Sequence, residues 1–91
     1  MIASFRHKGL KELFEKGRSS LVAADLQQRC VGRLDALDAA TDLKQLNLPG
    51  FNLHPLQGKP VRFSIHVNGP WAITFEWKSP NALRVNLEQY H

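Results

Sequence analysis

The chain is poor in the residues that cross-link or anchor a protein. It has a single cysteine, Cys30, among 91 residues. An intrachain disulfide framework is therefore excluded, and a reducing compartment is the expectation. No apolar run approaches the roughly 20 residues a membrane helix needs. The apolar opening Met1 to Phe5 meets Arg6, His7 and Lys8 at once, which is not the layout of a secretion signal. No Cys/His cluster has metal-ligand spacing, so neither a metal nor another cofactor is expected. Internal repeats, low-complexity tracts and interdomain linkers are absent, and the length suits one domain over residues 1–91. Acidic residues are in the minority. Eight Asp and Glu stand against twelve Lys and Arg, a formal net charge of +4. Such a balance suits a polyanion or an acidic protein partner, although a solvated basic surface has the same composition.

Two periodicities divide what is there. In the first half, Leu10, Leu13 and Phe14 share one face of a helix expected over His7–Lys16, with Gly17 as its stop. His7 reads as helix surface. Leu26, Cys30, Leu34 and Leu37 recur at three- and four-residue spacing in a second helix, from about Ala23 to Ala40. Thr41 reads as the cap of a short turn that Pro49-Gly50 ends. From Phe51 the period becomes two. Val61, Phe63, Ile65 and Val67 form one apolar row, Trp71, Ile73, Phe75 and Trp77 a second, and Leu83, Val85 and Leu87 a third. Asn68-Gly69 and Ser79-Pro80-Asn81 are the turns between them. The expectation is an α+β fold. An antiparallel meander of three strands, with Phe51–Leu56 as a possible fourth and Ile2–Phe5 as a short opening strand, carries the helices on its apolar face. Its polar face stays open for a site.

Four histidines offer proton-transfer groups that work near neutrality. Metal-free RNA cleavage needs a base for the 2′-hydroxyl, an acid for the leaving 5′-oxygen, and donors or cations at the phosphate. His54 precedes Pro55 at the rim of the expected sheet; taken alone it reads as a loop histidine capping a backbone group. His66 lies on the polar face and reads as a surface residue. Arg62 and Arg84 occupy polar-face positions and Lys59 lies in the loop entering the sheet. These three are candidate phosphate contacts, against the plainer reading of solvated charge. Lys8, Lys11, Lys16, Arg18, Arg29 and Arg33 gather in the helical half. Trp71, Phe75 and Trp77 fall in the apolar phase and are core, not a base-stacking platform. Cys30 is expected to be buried and inert.

Several stretches, in order along nearly the whole chain, resemble HigB-type toxins of the RelE superfamily. They are Met1-Ile2-Ala3-Ser4-Phe5-Arg6-His7-Lys8-Gly9-Leu10; Leu34-Asp35-Ala36-Leu37-Asp38-Ala39-Ala40-Thr41; Leu48-Pro49-Gly50-Phe51 with His54-Pro55-Leu56; Val67-Asn68-Gly69-Pro70-Trp71; and the terminal Tyr90-His91. The resemblance implies a small antiparallel sheet backed by N-terminal helices, the fold that the periodicity also indicates. It implies a cytoplasmic toxin that cuts mRNA in the ribosomal A site. Its partner would be a HigA-like helix-turn-helix antitoxin, with operator DNA reached only through that antitoxin. His54, Tyr90 and His91 are the catalytic residues the resemblance implies, Tyr90 as a donor to the phosphate or a surface for a base.

Three positions depart from the family pattern. Trp71-Ala72-Ile73 stands where the family has Trp-Arg-Ile, Gln89 where it has Asp, and Gln57 where it has Lys. Glu88 neighbours Gln89 but faces the other way on a strand. The departures keep a second reading open, a relative that binds RNA, ribosome or antitoxin without cutting. A generic RNA-binding α+β domain ranks below both, because neither an RNP-like nor a helix-turn-helix pattern is present.

Overall fold

A computed structural model describes residues 1–90 of the chain. Two helices, α1 (Lys8–Lys16) and α2 (Ala24–Ala39), are followed by a 3₁₀ turn (Leu43–Leu46) and four strands. These are β1 (His54–Leu56), β2 (Arg62–Asn68), β3 (Trp71–Lys78) and β4 (Asn81–Gln89), antiparallel in the order β1-β2-β3-β4. The α+β expectation holds, and the fourth strand is real though short. Among the described residues no helix is long and apolar enough to cross a membrane.

The core forms where the two apolar periodicities meet. Leu10 and Leu13 of α1 and Leu26, Cys30, Leu34 and Leu37 of α2 are buried against Ile65, Val67, Ile73, Phe75, Ala82 and Val85 of the sheet. Burying a side chain of this size stabilises by roughly 1.5–3 kcal/mol each, and little else in so small a chain offsets the loss of chain entropy. The α1–α2 junction depends on Gly9. A Cβ there would come within 2.9 Å of Leu21 Cβ and 2.8 Å of His7 Cε1, so only glycine fits.

Local chemistry corrects three expectations. His7 is the N-cap of α1 and not a residue of its surface: its Nδ1 accepts the Leu10 N–H at 3.1 Å, and burial pushes its pKa down. The acceptor role requires an unprotonated Nδ1, which burial favours. The cap of the 3₁₀ turn is Asp42, one residue beyond Thr41; its carboxylate accepts the Lys44 N–H while Gln45 reaches back to the Asp42 N–H. A carboxylate there satisfies two donors through a reciprocal box, which Thr41 does not do. Val61 lies outside β2 and is 53% exposed, because pairing with β1 and β3 begins only at Arg62.

Two bulges reset the strand phase. In β2, Val67 is an extra residue between the pairs His66–Ala72 and Asn68–Trp71. In β4, Arg84 and Val85 lie opposite Phe75 alone, between the pairs Thr74–Asn86 and Glu76–Leu83, and Arg84 takes a left-handed φ of 48°. The bulge makes Ala82 the buried residue and turns Leu83 to the face of Glu76, against the expected row of Leu83, Val85 and Leu87. The N-terminal segment bonds to it. Ile2 and Phe5 bridge in parallel to Ala82 and Val85, and the bulged N–H groups of Arg84 and Val85 donate to Ser4 Oγ and Ser4 O. The opening segment so covers the free edge of β4.

Candidate active site

The polar sheet face is assembled by register. His54 stands beside Ser64, which pairs with Thr74; His66 pairs with Ala72, which pairs with Glu88; Arg62 pairs with Glu76. A cleft of about 270 Å³ opens at the end of this face where the β2–β3 hairpin turns. His54 and Tyr90 both line it, and Ala72 and Ser64 are buried beneath it. The structure thus brings together two of the three residues to which the resemblance implies catalysis. The third, His91, lies outside the described residues.

His54 is held in a definite tautomer. Its Nδ1 lies 2.8 Å from the Asn52 carbonyl. A carbonyl oxygen only accepts, so Nδ1 carries the proton and Nε2 keeps the lone pair of the neutral ring. Asn52 turns its carbonyl to that place by adopting a left-handed φ of 47°, which asparagine tolerates better than most residues. The loop itself is pinned from behind. His66 N–H donates to Phe51 O at 2.6 Å, and Arg33 of α2 stacks 4.5 Å over the Phe51 ring while its Nε donates to His66 O at 2.9 Å. Arg29 reaches the Val67 carbonyl at 3.5 Å. These two arginines of the basic helical half therefore serve to dock α2 on β2.

His66 is no idle surface residue. It is half-buried, lines the cleft, and its Nε2–H donates to the Gly69 carbonyl of the hairpin at 2.9 Å. Nδ1 is left as its lone-pair nitrogen. The polar phase shared with Ser64 was the signal for this position in the sequence; the cleft needed the tertiary placement of residues 69–72.

Tyr90 stands at the end of β4, its N–H donating to Pro70 O at 2.6 Å and its hydroxyl donating to Glu88 Oε2 at 3.3 Å. Partial burial first, and then the Glu88 charge, push the Tyr90 pKa up, so the phenol stays a neutral donor. Thr74, fully buried, donates to Glu88 and accepts from Arg62 Nη2 at 3.0 Å. A chain of bonds runs from Arg62 through Thr74 and Glu88 to Tyr90. Glu88 does face away from Gln89, as a strand requires, yet the face it joins is that of the cleft. It positions Tyr90.

The candidate cations are less free than the alternation indicates. Arg62 also donates to Glu76 at 3.2 Å and to Arg84 O at 3.0 Å, and Arg84 Nη1 reaches the other oxygen of Glu76 at 2.8 Å. One carboxylate thus ties up two guanidiniums. Lys59 is exposed in the loop between β1 and β2 and does not line the cleft. Trp71 packs against the core and also lines the cleft, so its placement as core alone was too narrow. No three His, Cys, Asp or Glu side chains gather as a metal-ligand set among the described residues.

Over residues 3–91 the chain matches the family described as the RelE-like toxin of type II toxin-antitoxin system HigB. It is also similar to the endoribonuclease HigB of Proteus vulgaris, at 47% identity over 92 residues that span the whole of both chains.

Proposed function

The chain belongs to the RelE-like HigB toxins of type II toxin-antitoxin systems, and from that premise we propose that it is an endoribonuclease that cuts mRNA on the translating ribosome. The observation that carries the chemistry is the His54 ring, fixed with its lone-pair Nε2 available at a cleft it shares with Tyr90. His54 Nε2 takes the proton of the 2′-hydroxyl, and the 2′-oxygen attacks the adjacent phosphorus. The bond from phosphorus to the 5′-oxygen breaks, and His91, the residue after Tyr90, returns a proton to that oxygen. The products are a 2′,3′-cyclic phosphate and a 5′-hydroxyl. The Tyr90 hydroxyl turns its single proton from Glu88 to a non-bridging oxygen, where charge grows in the transition state.

Membership of the family brings an antitoxin partner. We place the protein in the cytoplasm with a HigA-like helix-turn-helix antitoxin, and with operator DNA reached only through it. Lys59 contacts RNA phosphates directly. Arg62 and Arg84 contribute the excess positive charge of two guanidiniums around one carboxylate.

A second reading, a relative that binds without cutting, is favoured by two observations. Ala72 puts a methyl group where a phosphate-stabilising cation would stand, and Arg62 and Arg84 are occupied by Glu76. Primer extension on mRNA from translating ribosomes separates the two. New 5′ ends that appear with the chain and vanish in His54→Ala support the endonuclease; ribosome association without new ends supports the binder.

A further inference from the structure

A second cleft, of about 340 Å³, adjoins the first on the same face. The two share Leu56 and Tyr90 as walls; Arg6 and Gln57 border only the second. Among the described residues the first cleft is lined by no lysine, arginine or carboxylate, whereas the second has Arg6 and Arg62 against Glu88. Arg62 is spent on Glu76, Thr74 and the Arg84 carbonyl. Arg6 is exposed, and among the described residues its side chain has no ion-pair or hydrogen-bond partner. Its backbone is nonetheless fixed, since Arg6 N–H donates to Val85 O at 2.8 Å in the segment that runs along β4.

Resting on the endonuclease reading, we infer that the second cleft is a nucleotide subsite of the same RNA strand, with Arg6 as its phosphate contact. The reacting linkage lies at His54. The strand crosses Tyr90, whose exposed ring can take a base on its face, and the next phosphate meets the Arg6 guanidinium. A cation is thereby supplied from the chain's opening segment to a face whose own strand arginines are both engaged by Glu76. Its charge holds the flanking phosphate, not the one that reacts, so Arg6 governs substrate capture more than the chemical step.

The test uses the full-length protein and ribosome-bound mRNAs that each carry one uncharged methylphosphonate linkage within three nucleotides of the cut. With unmodified mRNA, Arg6→Ala raises the protein concentration needed for half-maximal cleavage about tenfold and leaves the saturated rate within about twofold; Arg6→Lys recovers most of the loss. One methylphosphonate flanking the cut weakens the wild type to the same degree and costs Arg6→Ala nothing further. Unchanged capture in Arg6→Ala overturns the subsite, and so does a variant that is equally sensitive to every substituted linkage. If the wild type makes no cut on ribosomes, the endonuclease reading falls, and a 2′-O-methyl RNA hexanucleotide then decides the subsite by tryptophan fluorescence, Trp71 being the one that lines the first cleft. Binding weakened about tenfold by Arg6→Ala upholds it; equal binding by the two proteins, or none by the wild type, overturns it.

Discussion

His66 and Ala72 are direct cross-strand partners on the polar face, and both line the cleft that holds His54 and Tyr90. Ala72 is only 6% exposed, yet its methyl group lies beneath open space and not within the core. Its other neighbour is Glu88. A longer side chain at position 72 would rise into the cleft between an imidazole and a carboxylate.

Ala72→Arg is therefore expected to increase mRNA cleavage. A guanidinium in the cleft interacts more strongly with the doubly charged transition state than with the ground state, and one such donor is typically worth roughly 10²–10³ in rate. The gain should disappear when His54→Ala is added. Growth inhibition and primer-extension mapping of the single and double variants check this. A folded Ala72→Arg protein no more active than the parent would remove the missing-cation argument.

His54→Ala should lower cleavage by about 10²–10⁴-fold, the range for removing a general base. The ring is exposed and its one described bond is to a neighbouring carbonyl, so thermal stability should hardly change. Asn52→Gly should keep activity, because glycine adopts the same left-handed φ and still offers its carbonyl. Asn52→Val, for which that φ is strained, should lose much of it. Equal activity of the two Asn52 variants would separate the tautomer from catalysis.

The Glu76 cluster should respond unevenly to truncation. Arg62 and Glu76 side chains are 15% and 14% exposed, whereas Arg84 is 55% exposed. Glu76→Ala and Arg62→Ala leave partly buried groups unpaired and should each cost about 1–3 kcal/mol. Arg84→Ala removes a largely solvated guanidinium while Glu76 keeps Arg62, and should cost at most about 1 kcal/mol. Urea denaturation midpoints rank the three, and an Arg84→Ala loss as large as that of Arg62→Ala would contradict the arrangement.

Cys30 is fully buried, and burial pushes its thiol up to about 11, against the opposing pull of Arg33. Because the folded pKa exceeds the unfolded value of 9.0, the folded state holds the proton more tightly. This contribution to stability is intact below pH 9 and is lost as the pH rises towards 11. The wild-type melting temperature should fall more steeply over that interval than that of Cys30→Ala. At neutral pH a thiol reagent should label Cys30 only at the rate of unfolding. Identical alkaline slopes, or rapid labelling of the native protein, would count against a buried thiol.

The helices, the meander and most of the core were legible in the sequence because they depend on local periodicity. Leu26, Cys30, Leu34 and Leu37 form a stripe wherever a helix forms, and Ile65, Ile73 and Phe75 point one way on any strand. Both bulges escaped that reading. The bulge at Arg84 is bonded to a partner, the segment around Ser4, some eighty residues distant in sequence. No window of neighbouring residues contains that information, so Leu83 was expected inside where Ala82 is.

The site divides along the same line. Sequence by itself determined the α+β fold, the polar sheet face, and, through family resemblance, His54 and Tyr90 as residues to bring together. Only the tertiary structure decided which side chains share the cleft, which histidine nitrogen keeps its lone pair, and which cations are free. The cleft and the free cation depend on contacts between segments far apart in the chain: His66 with Phe51 and Arg33, Arg62 with Glu76 and Arg84, Arg6 with Arg62 and Glu88 around the cleft beside Tyr90; the His54 tautomer depends on the left-handed turn at Asn52. A strand's alternation tells which face a side chain takes. The charge that face presents depends on the pairings made across it, and those are set by register and packing.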